Sequence, residues 1–310
     1  MSPVIETNAI EDLPDAHRGG VAALGNFDGV HKGHMAVLET ARTLAVELDV
    51  ELVAAVFRPH PRRYFQPDAP PFRLQSDAQR VRALAAAGAR RVHAIPFGPD
   101  MAAMSPETFC HAVLAEGLGL AGVVTGPDFR FGKGRAGDVG QLAELGERFG
   151  FTVRAADELA LDGGRVSSTG VREALMTGEP ERASALLGRP FAIEGVVSKG
   201  DQRGRHLGFP TANIPLGDYV RPRFGVYAVT AKRGDDAPIK GVANLGVRPT
   251  VEGEEARLEA HLFDFSGDLY GETLEVALQA FIRPERKFDG LDALKAQIGA
   301  DSDQARALLA

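Results

Sequence analysis

The sequence predicts two domains in series, a doubly wound α/β domain built on a parallel sheet and then a small antiparallel β-barrel with a C-terminal helix. Three observations carry this expectation. Residues 1–185 alternate short, mainly apolar runs with helical patterns, and after Gly188-Arg189-Pro190 the apolar residues recur at every second position. The chain is also 310 residues long, more than the roughly 100–200 residues that one core usually organises.

The apolar runs are 21–24, 51–57, 91–95, 121–125 and 151–155. Strands that are apolar on both faces belong in a parallel sheet covered by helices. The first helix is marked by Val37, Leu38, Ala41, Leu44, Ala45 and Leu48 at helical spacing. Another is opened by Ser105-Pro106-Glu107, with a serine cap and proline at the first helical position. Val139, Leu142 and Leu145 suggest a third, and Val171, Ala174 and Leu175 a fourth. In the barrel, Leu274, Val276, Leu278, Ala280 and Ile282 give the cleanest alternation, joined by Leu258, Ala260 and Leu262 and by Val226 and Ala228. Leu291, Leu294 and Ile298 predict the closing helix. The boundary is placed near residue 186, giving domains 1–185 and 186–310.

Composition narrows the class of function. The formal charge of -7 and the absence of long basic runs disfavour nucleic acid, so phosphate must be gripped by local sites. No apolar stretch of about 18 residues reads as a membrane span. The single cysteine, Cys110, cannot form an internal disulfide; it reads as buried filler in a reducing, cytoplasmic setting. A homo-oligomer is compatible with all of this.

In an open α/β sheet, ligands sit beyond the carboxyl ends of the strands. The first such loop reads Gly25-Asn26-Phe27-Asp28-Gly29-Val30-His31-Lys32-Gly33-His34. Its glycines allow close approach of backbone to a phosphate, and the following helix presents free N–H groups to an anion. His31 and His34 can donate to phosphate oxygens, and near neutral pH either could carry charge at modest cost. A metal half-site is the alternative for two such histidines, but no further cysteine or histidine lies nearby at ligand spacing. Val166-Ser167-Ser168-Thr169-Gly170-Val171-Arg172 places three hydroxyls in a first helical turn, with Arg172 one turn on as a planar fork for phosphate oxygens. Read alone, it is a helix cap.

Together, HxGH and SSTxxR resemble the signature of the nucleotidyltransferase superfamily, with its Rossmann-like fold. Phe57-Arg58-Pro59-His60-Pro61 and Gly126-Pro127-Asp128-Phe129-Arg130-Phe131-Gly132 resemble, more narrowly, the adenylyltransferase half of the prokaryotic bifunctional riboflavin kinase/FAD synthetases. Read without the resemblance, Pro-His-Pro is a rigid turn, and Phe129 and Phe131 are core. The resemblance implies ATP contacts at Gly25, Phe27, Asp28, Gly33, Asp128, Ser167, Ser168 and Thr169, and flavin contacts at Pro59 and Pro61. It implies catalytic roles for His31, His34 and Arg172.

The barrel opens on a glycine-rich, basic stretch that includes Gly200, Arg205, Gly208 and Pro210, followed by Thr211-Ala212-Asn213. Such turns make anion-binding concavities from backbone N–H groups, and Thr211 and Asn213 alternate onto one face where their oxygens can meet a hard cation such as Mg²⁺. No Walker-type loop is present. This stretch, with 241–250, 259–265 and 281–288, is similar to the riboflavin kinase motifs. The resemblance implies ATP contacts at Gly200, Arg205, Gly208 and Pro210, Mg²⁺ on Thr211 and Asn213, and Glu259 as the general base. Alternation puts Glu259 and His261 on one face of their strand and Leu258 and Ala260 on the other.

The implied activity is two-step: riboflavin and ATP give FMN in the barrel, and FMN and a second ATP give FAD and pyrophosphate in the α/β domain. Two rivals remain. One is an adenylyltransferase for another acceptor with the barrel as an appendage, which residues 204–213 and 259–265 disfavour. The other is a flavin- or nucleotide-sensing regulator, which the presence of His31, His34 and Glu259 disfavours.

Overall fold

The computed structural model describes residues 5–7, 13–161, 163–199, 209–250 and 253–310. They pack as two compact units, one formed by 1–69 and 77–166 and the other by 70–76 and 167–310.

The first unit holds a six-stranded parallel sheet. Its strands are β1 (Ile5–Thr7), β2 (Val21–Leu24), β3 (Leu52–Arg58), β4 (Arg91–Pro96), β5 (Gly122–Thr125) and β6 (Thr152–Ala155). Their order in the sheet is β1-β4-β3-β2-β5-β6, and every pair is parallel. The five expected strands are present within a residue at each end, and β1 is an addition. The chain winds outward from β2 through β3 and β4, then returns to β5 on β2's other side, so the topological switch lies between β2 and β5.

Both faces of the sheet's centre are covered, as its apolar strands β2 and β3 required. Val21 and Ala23 point to the face under helices Lys32–Glu47 and Asp77–Ala86, with Leu38, Ala41, Leu44 and Leu84. Ala22 and Leu24 point to the opposite face, against Phe109, Leu114, Leu142 and Leu145. The helix opened by Ser105 differs from expectation. After one α turn, Pro106–Thr108, it widens into a π-helix over Phe109–Gly117, with Leu118 N bonding Val113 O. A short hairpin, β7 (Ala160–Leu161) and β8 (Gly164–Arg165), follows the sheet.

The second unit is a barrel-like antiparallel sheet. Its strands are β9 (Phe191–Val196), β10 (Ala212–Pro215), β11 (Gly225–Lys232), β12 (Ile239–Thr250), β13 (Gly253–Leu262) and β14 (Thr273–Pro284), in the order β10-β13-β12-β11-β14-β9. An isolated bridge from Ser198 to Asn213 brings the two end strands together and nearly closes the sheet. Closure hides the edges that would otherwise invite strand addition.

The unit also contains helices Ser168–Thr177 and Pro180–Leu187, and a strap from earlier in the chain. In the strap, Arg73 N bonds Asp218 O and Val220 N bonds Arg73 O. Packing therefore divides the chain at 166/167, upstream of the motif-based boundary near residue 186.

The closing helix, Leu291–Leu308, meets the barrel differently from the stripe expected. Leu291 is 68% exposed, whereas Asp301, Ser302 and Ala305 are buried. The reason is an anchor in the second half of the helix. Arg283 on β14 grips Asp301 with two nitrogens at 2.9 and 2.6 Å, and Gln297 Nε2 donates to the same carboxylate at 2.7 Å. A two-pronged pair of this kind fixes orientation as well as position.

Candidate active sites

The loop after β2 is compact and strained. Phe27 and Val30 adopt positive φ angles of 50° and 38°, and Gly29 one of 93°. Positive φ in a β-branched residue is costly and persists only where surrounding packing imposes it, commonly at functional sites. Here Phe27, Asp28, Val30 and His31 are all buried.

The two histidines cap the helix reciprocally. His34 N donates to His31 Nδ1 at 3.2 Å, and His31 N donates to His34 Nδ1 at 3.3 Å; the rings stack with centroids 3.6 Å apart. An Nδ1 that accepts cannot carry a proton, so each ring bears its hydrogen on Nε2. Protonation at either Nδ1 would sacrifice a cap bond, so with the cap intact Nε2–H is the donor of each ring. Gly33 is constrained from two sides, since a Cβ there would lie 3.0 Å from Val166 O and 3.2 Å from the His31 ring. Its lack of a side chain is required by packing, whatever it contacts in a ligand.

Beside this loop the first unit has a cavity of about 660 Å³. Gly25 and Asn26 line it at one side, with Phe57, Phe97 and Phe131 among its aromatic walls, and Pro61 and Asp128 also border it. Pro59 is not among the lining residues. Phe131 is buried core as well as wall, so both readings of that residue hold. Asp128 is ion-paired with Arg165 at 2.6 Å, and Arg165 also approaches Glu158 at 3.5 Å. Arg165 carried no motif, so the sequence offered no signal for it. The volume and mixed lining suit a planar, drug-sized ligand.

Ser167, Ser168, Thr169 and Arg172 belong to the second packing unit, whereas His31 and His34 belong to the first. Ser167 is the N-cap, its hydroxyl accepting from Gly170 N at 3.1 Å. Arg172 donates from Nε to Phe72 O at 2.7 Å and lies 5.7 Å over the Phe72 ring. The strap thus fixes the plane of the arginine fork.

In the barrel, the ladder sets the geometry. Glu259 on β13 is in register with Asn213 on β10 and with Asn244 on β12. Directly paired residues in an antiparallel sheet share a face, with Cβ atoms about 4.5–5.5 Å apart, so three polar side chains form one row. Asn213 is buried, and its Nδ2 contacts Thr211 O at 3.3 Å and Thr211 Oγ1 at 3.4 Å. Pro210, Thr211 and Asn213 border a second cavity, of about 540 Å³, whose far wall is the loop Phe265–Tyr270. His261, two residues along from Glu259, bonds Pro210 O at 2.9 Å and pins the segment that carries Thr211. Because a carbonyl only accepts, His261 Nδ1 is the donor. The expected contacts Gly200, Arg205 and Gly208 lie outside the described residues.

Fold and sites together define a two-domain transferase, with a strained histidine loop at the switch point of a doubly wound sheet and a polar ladder row on a barrel. The particular family follows from the comparisons. Residues 13–170 match the FAD synthetase family model and residues 187–309 the riboflavin kinase model. The chain is 45% identical over 302 residues to the bifunctional riboflavin kinase/FMN adenylyltransferase of Pseudomonas fluorescens, covering 97% of this chain and 96% of that one. It is 41% identical over 298 residues to the protein of the same name from Escherichia coli strain K12, with coverages of 96% and 95%. To that of Bacillus subtilis it is 36% identical over 291 residues, covering 92% and 91%. A crystal structure described as a macrolide-efflux protein from Streptococcus pneumoniae superposes with a TM-score of 0.87 at 30% identity, over 98% of this chain and 99% of that one. The chain belongs to the family of bifunctional riboflavin kinase/FMN adenylyltransferases. Among the described residues, no helix is long and apolar enough to cross a membrane.

Proposed function

We propose that the barrel phosphorylates riboflavin to FMN with ATP, and that the α/β domain adenylylates FMN to FAD with a second ATP and releases pyrophosphate. Family membership over both halves of the chain supports this reading. The observation that carries its chemistry is the ladder row, in which Glu259 stands opposite Asn213, and Asn213 with Thr211 borders a cavity of about 540 Å³.

In the kinase step, Glu259 accepts the proton of riboflavin's terminal ribityl hydroxyl as that oxygen attacks the γ-phosphate. Among the described residues none donates a hydrogen bond to the Glu259 carboxylate, which leaves its lone pairs for substrate. Thr211 and Asn213 would hold Mg²⁺ through their neutral side-chain oxygens once the Asn213 amide, whose Nδ2 here faces Thr211 Oγ1, presents Oδ1 instead; this ion needs few protein ligands because it keeps waters and binds substrate phosphates. Bound there, it would neutralise charge on the transferring phosphoryl group. Pro210, with Gly200, Arg205 and Gly208, would cradle the nucleotide.

In the adenylylation step, the FMN phosphate attacks the α-phosphate of ATP. The neutral Nε2–H groups of His31 and His34 donate to its oxygens, aided by the helix N-terminus that follows. Arg172 and Ser168 supply further charge and hydrogen bonds. Gly25, Phe27, Asp28, Gly33, Ser167, Thr169 and Asp128 are assigned to ATP, and Pro59 and Pro61 to the flavin side. Catalytic domains 1–185 and 186–310, and a cytoplasmic location, complete the proposal. Incubation of the purified chain with riboflavin, ATP and Mg²⁺, followed by flavin separation, tests it. FMN should appear first and FAD after it, and recovery of riboflavin alone would refute it.

A further inference from the structure

The barrel row gains a fourth member from the 281–288 stretch, to which the sequence assigned no individual role. Glu285, just beyond β14, accepts a hydrogen bond from Asn244 Nδ2 at 3.2 Å. Its carboxylate lies flat against β12 at Gly246, where an added Cβ would overlap Glu285 Oε1 and come within 2.9 Å of its Cδ. A carboxylate can only accept, so this contact turns the donor end of the Asn244 amide toward Glu285 and its oxygen end away. Asn213, on the other side of Glu259, is oriented in the same sense, with its Nδ2 bonded to Thr211. Both asparagines in register with Glu259 therefore turn their Nδ2 ends toward other partners.

This matters because Asn244 is within side-chain reach of Glu259 across the ladder. A hydrogen bond donated to the carboxylate would occupy a lone pair that the substrate hydroxyl needs.

We infer that Glu285 is a positioning residue for riboflavin phosphorylation, acting through Asn244 by holding that amide's donors off the general base Glu259. The inference rests on the assignment of Glu259 as the base. Gly246 is part of the same device, since only a residue without a side chain lets Glu285 reach Asn244 over the strand.

The device is tested by a double-mutant cycle in the full-length enzyme, measuring FMN formation from riboflavin with ATP and Mg²⁺. Glu285→Ala frees the Asn244 amide to donate to Glu259, and kcat should fall about tenfold, the effect of one hydrogen bond competing with the substrate hydroxyl for the carboxylate, with KM for ATP unchanged. Glu285→Gln retains a carbonyl acceptor and should remain within about twofold of the parent. The decisive variant is Glu285→Ala combined with Asn244→Ala, which removes the freed donor and should restore kcat to the level of Asn244→Ala alone. A merely structural role for Glu285 would not be rescued by a second truncation. An unchanged kcat in Glu285→Ala, or a double variant no faster than Glu285→Ala, overturns the inference while leaving the base assignment intact. Normal turnover by Glu259→Gln in the same assay would remove that assignment, and the inference with it.

Discussion

Asn213 and Glu259 stand directly opposite one another on β10 and β13, so the residue assigned to the metal and the residue assigned as base are neighbours across one rung of the ladder. Nothing in their separation of 46 positions along the chain foretells this; the antiparallel register creates it. The rung aligns the residue assigned as proton acceptor with a residue assigned to the ion that would neutralise the phosphoryl group. Phosphoryl transfer depends mainly on such positioning.

His34→Ala removes one Nε2–H donor and half of a reciprocal cap. FAD formation from supplied FMN should fall by about 10²-fold, as when one donor is lost from a charge-stabilising site. The cost in stability should be only about 1 kcal/mol, typical of a lost cap. Riboflavin phosphorylation should continue, so FMN should accumulate. Chromatography of the flavins and a thermal melt check both halves of this expectation, and undiminished FAD output would reject the role.

His93 makes the first unit acid-sensitive. It lies buried in β4, and desolvation, reinforced by Arg91 and His17, lowers its pKa from 6.5 to about 4. The unfolded chain therefore binds a proton between pH 6.5 and 4 that the folded chain refuses. Stability should fall as pH drops through that window, by up to roughly 3 kcal/mol from this group. His93→Gln should flatten the dependence in urea melts at pH 7, 6 and 5; an equally steep fall in the variant would contradict the assignment.

Cys110 should be chemically silent. Burial pushes its thiol up to about 12, and it sits in the packed core on one face of the parallel sheet. Thiolates, not thiols, are the reactive form. A thiol-specific chromogenic reagent at pH 8 should modify less than about a tenth of the protein before denaturant is added, and all of it afterwards. Rapid labelling of the native enzyme would show that the helix Phe109–Gly117 opens readily.

The parallel sheet was legible because its central strands are buried on both faces, and Val21–Leu24 and Leu52–Phe57 contain no polar residue. β1 was not, because Glu6 and Thr7 interrupt so short a strand. The strap at 70–76 was equally hidden: its bonds to Asp218, Val220 and Arg172 are made by backbone atoms of Phe72 and Arg73, which leave no pattern of residue types. The closing helix misled because a buried Asp301 paired with Arg283 looks, in sequence, like a solvated charge. At the sites, the residue types announced the chemistry but not the arrangement. The tautomers of His31 and His34 follow from two backbone bonds, and the link from Asn244 to Glu285 follows from register and from a glycine that yields space.

Replacing Glu259 by Gln tests the central claim most directly, because it removes the base while keeping the side chain's shape. The purified variant is given riboflavin with ATP and Mg²⁺ in one reaction, and FMN with ATP and Mg²⁺ in another. The account predicts no FMN in the first, a loss of at least about 10²-fold from deleting a general base, and parental yields of FAD in the second. FMN formation at the parental rate would contradict it.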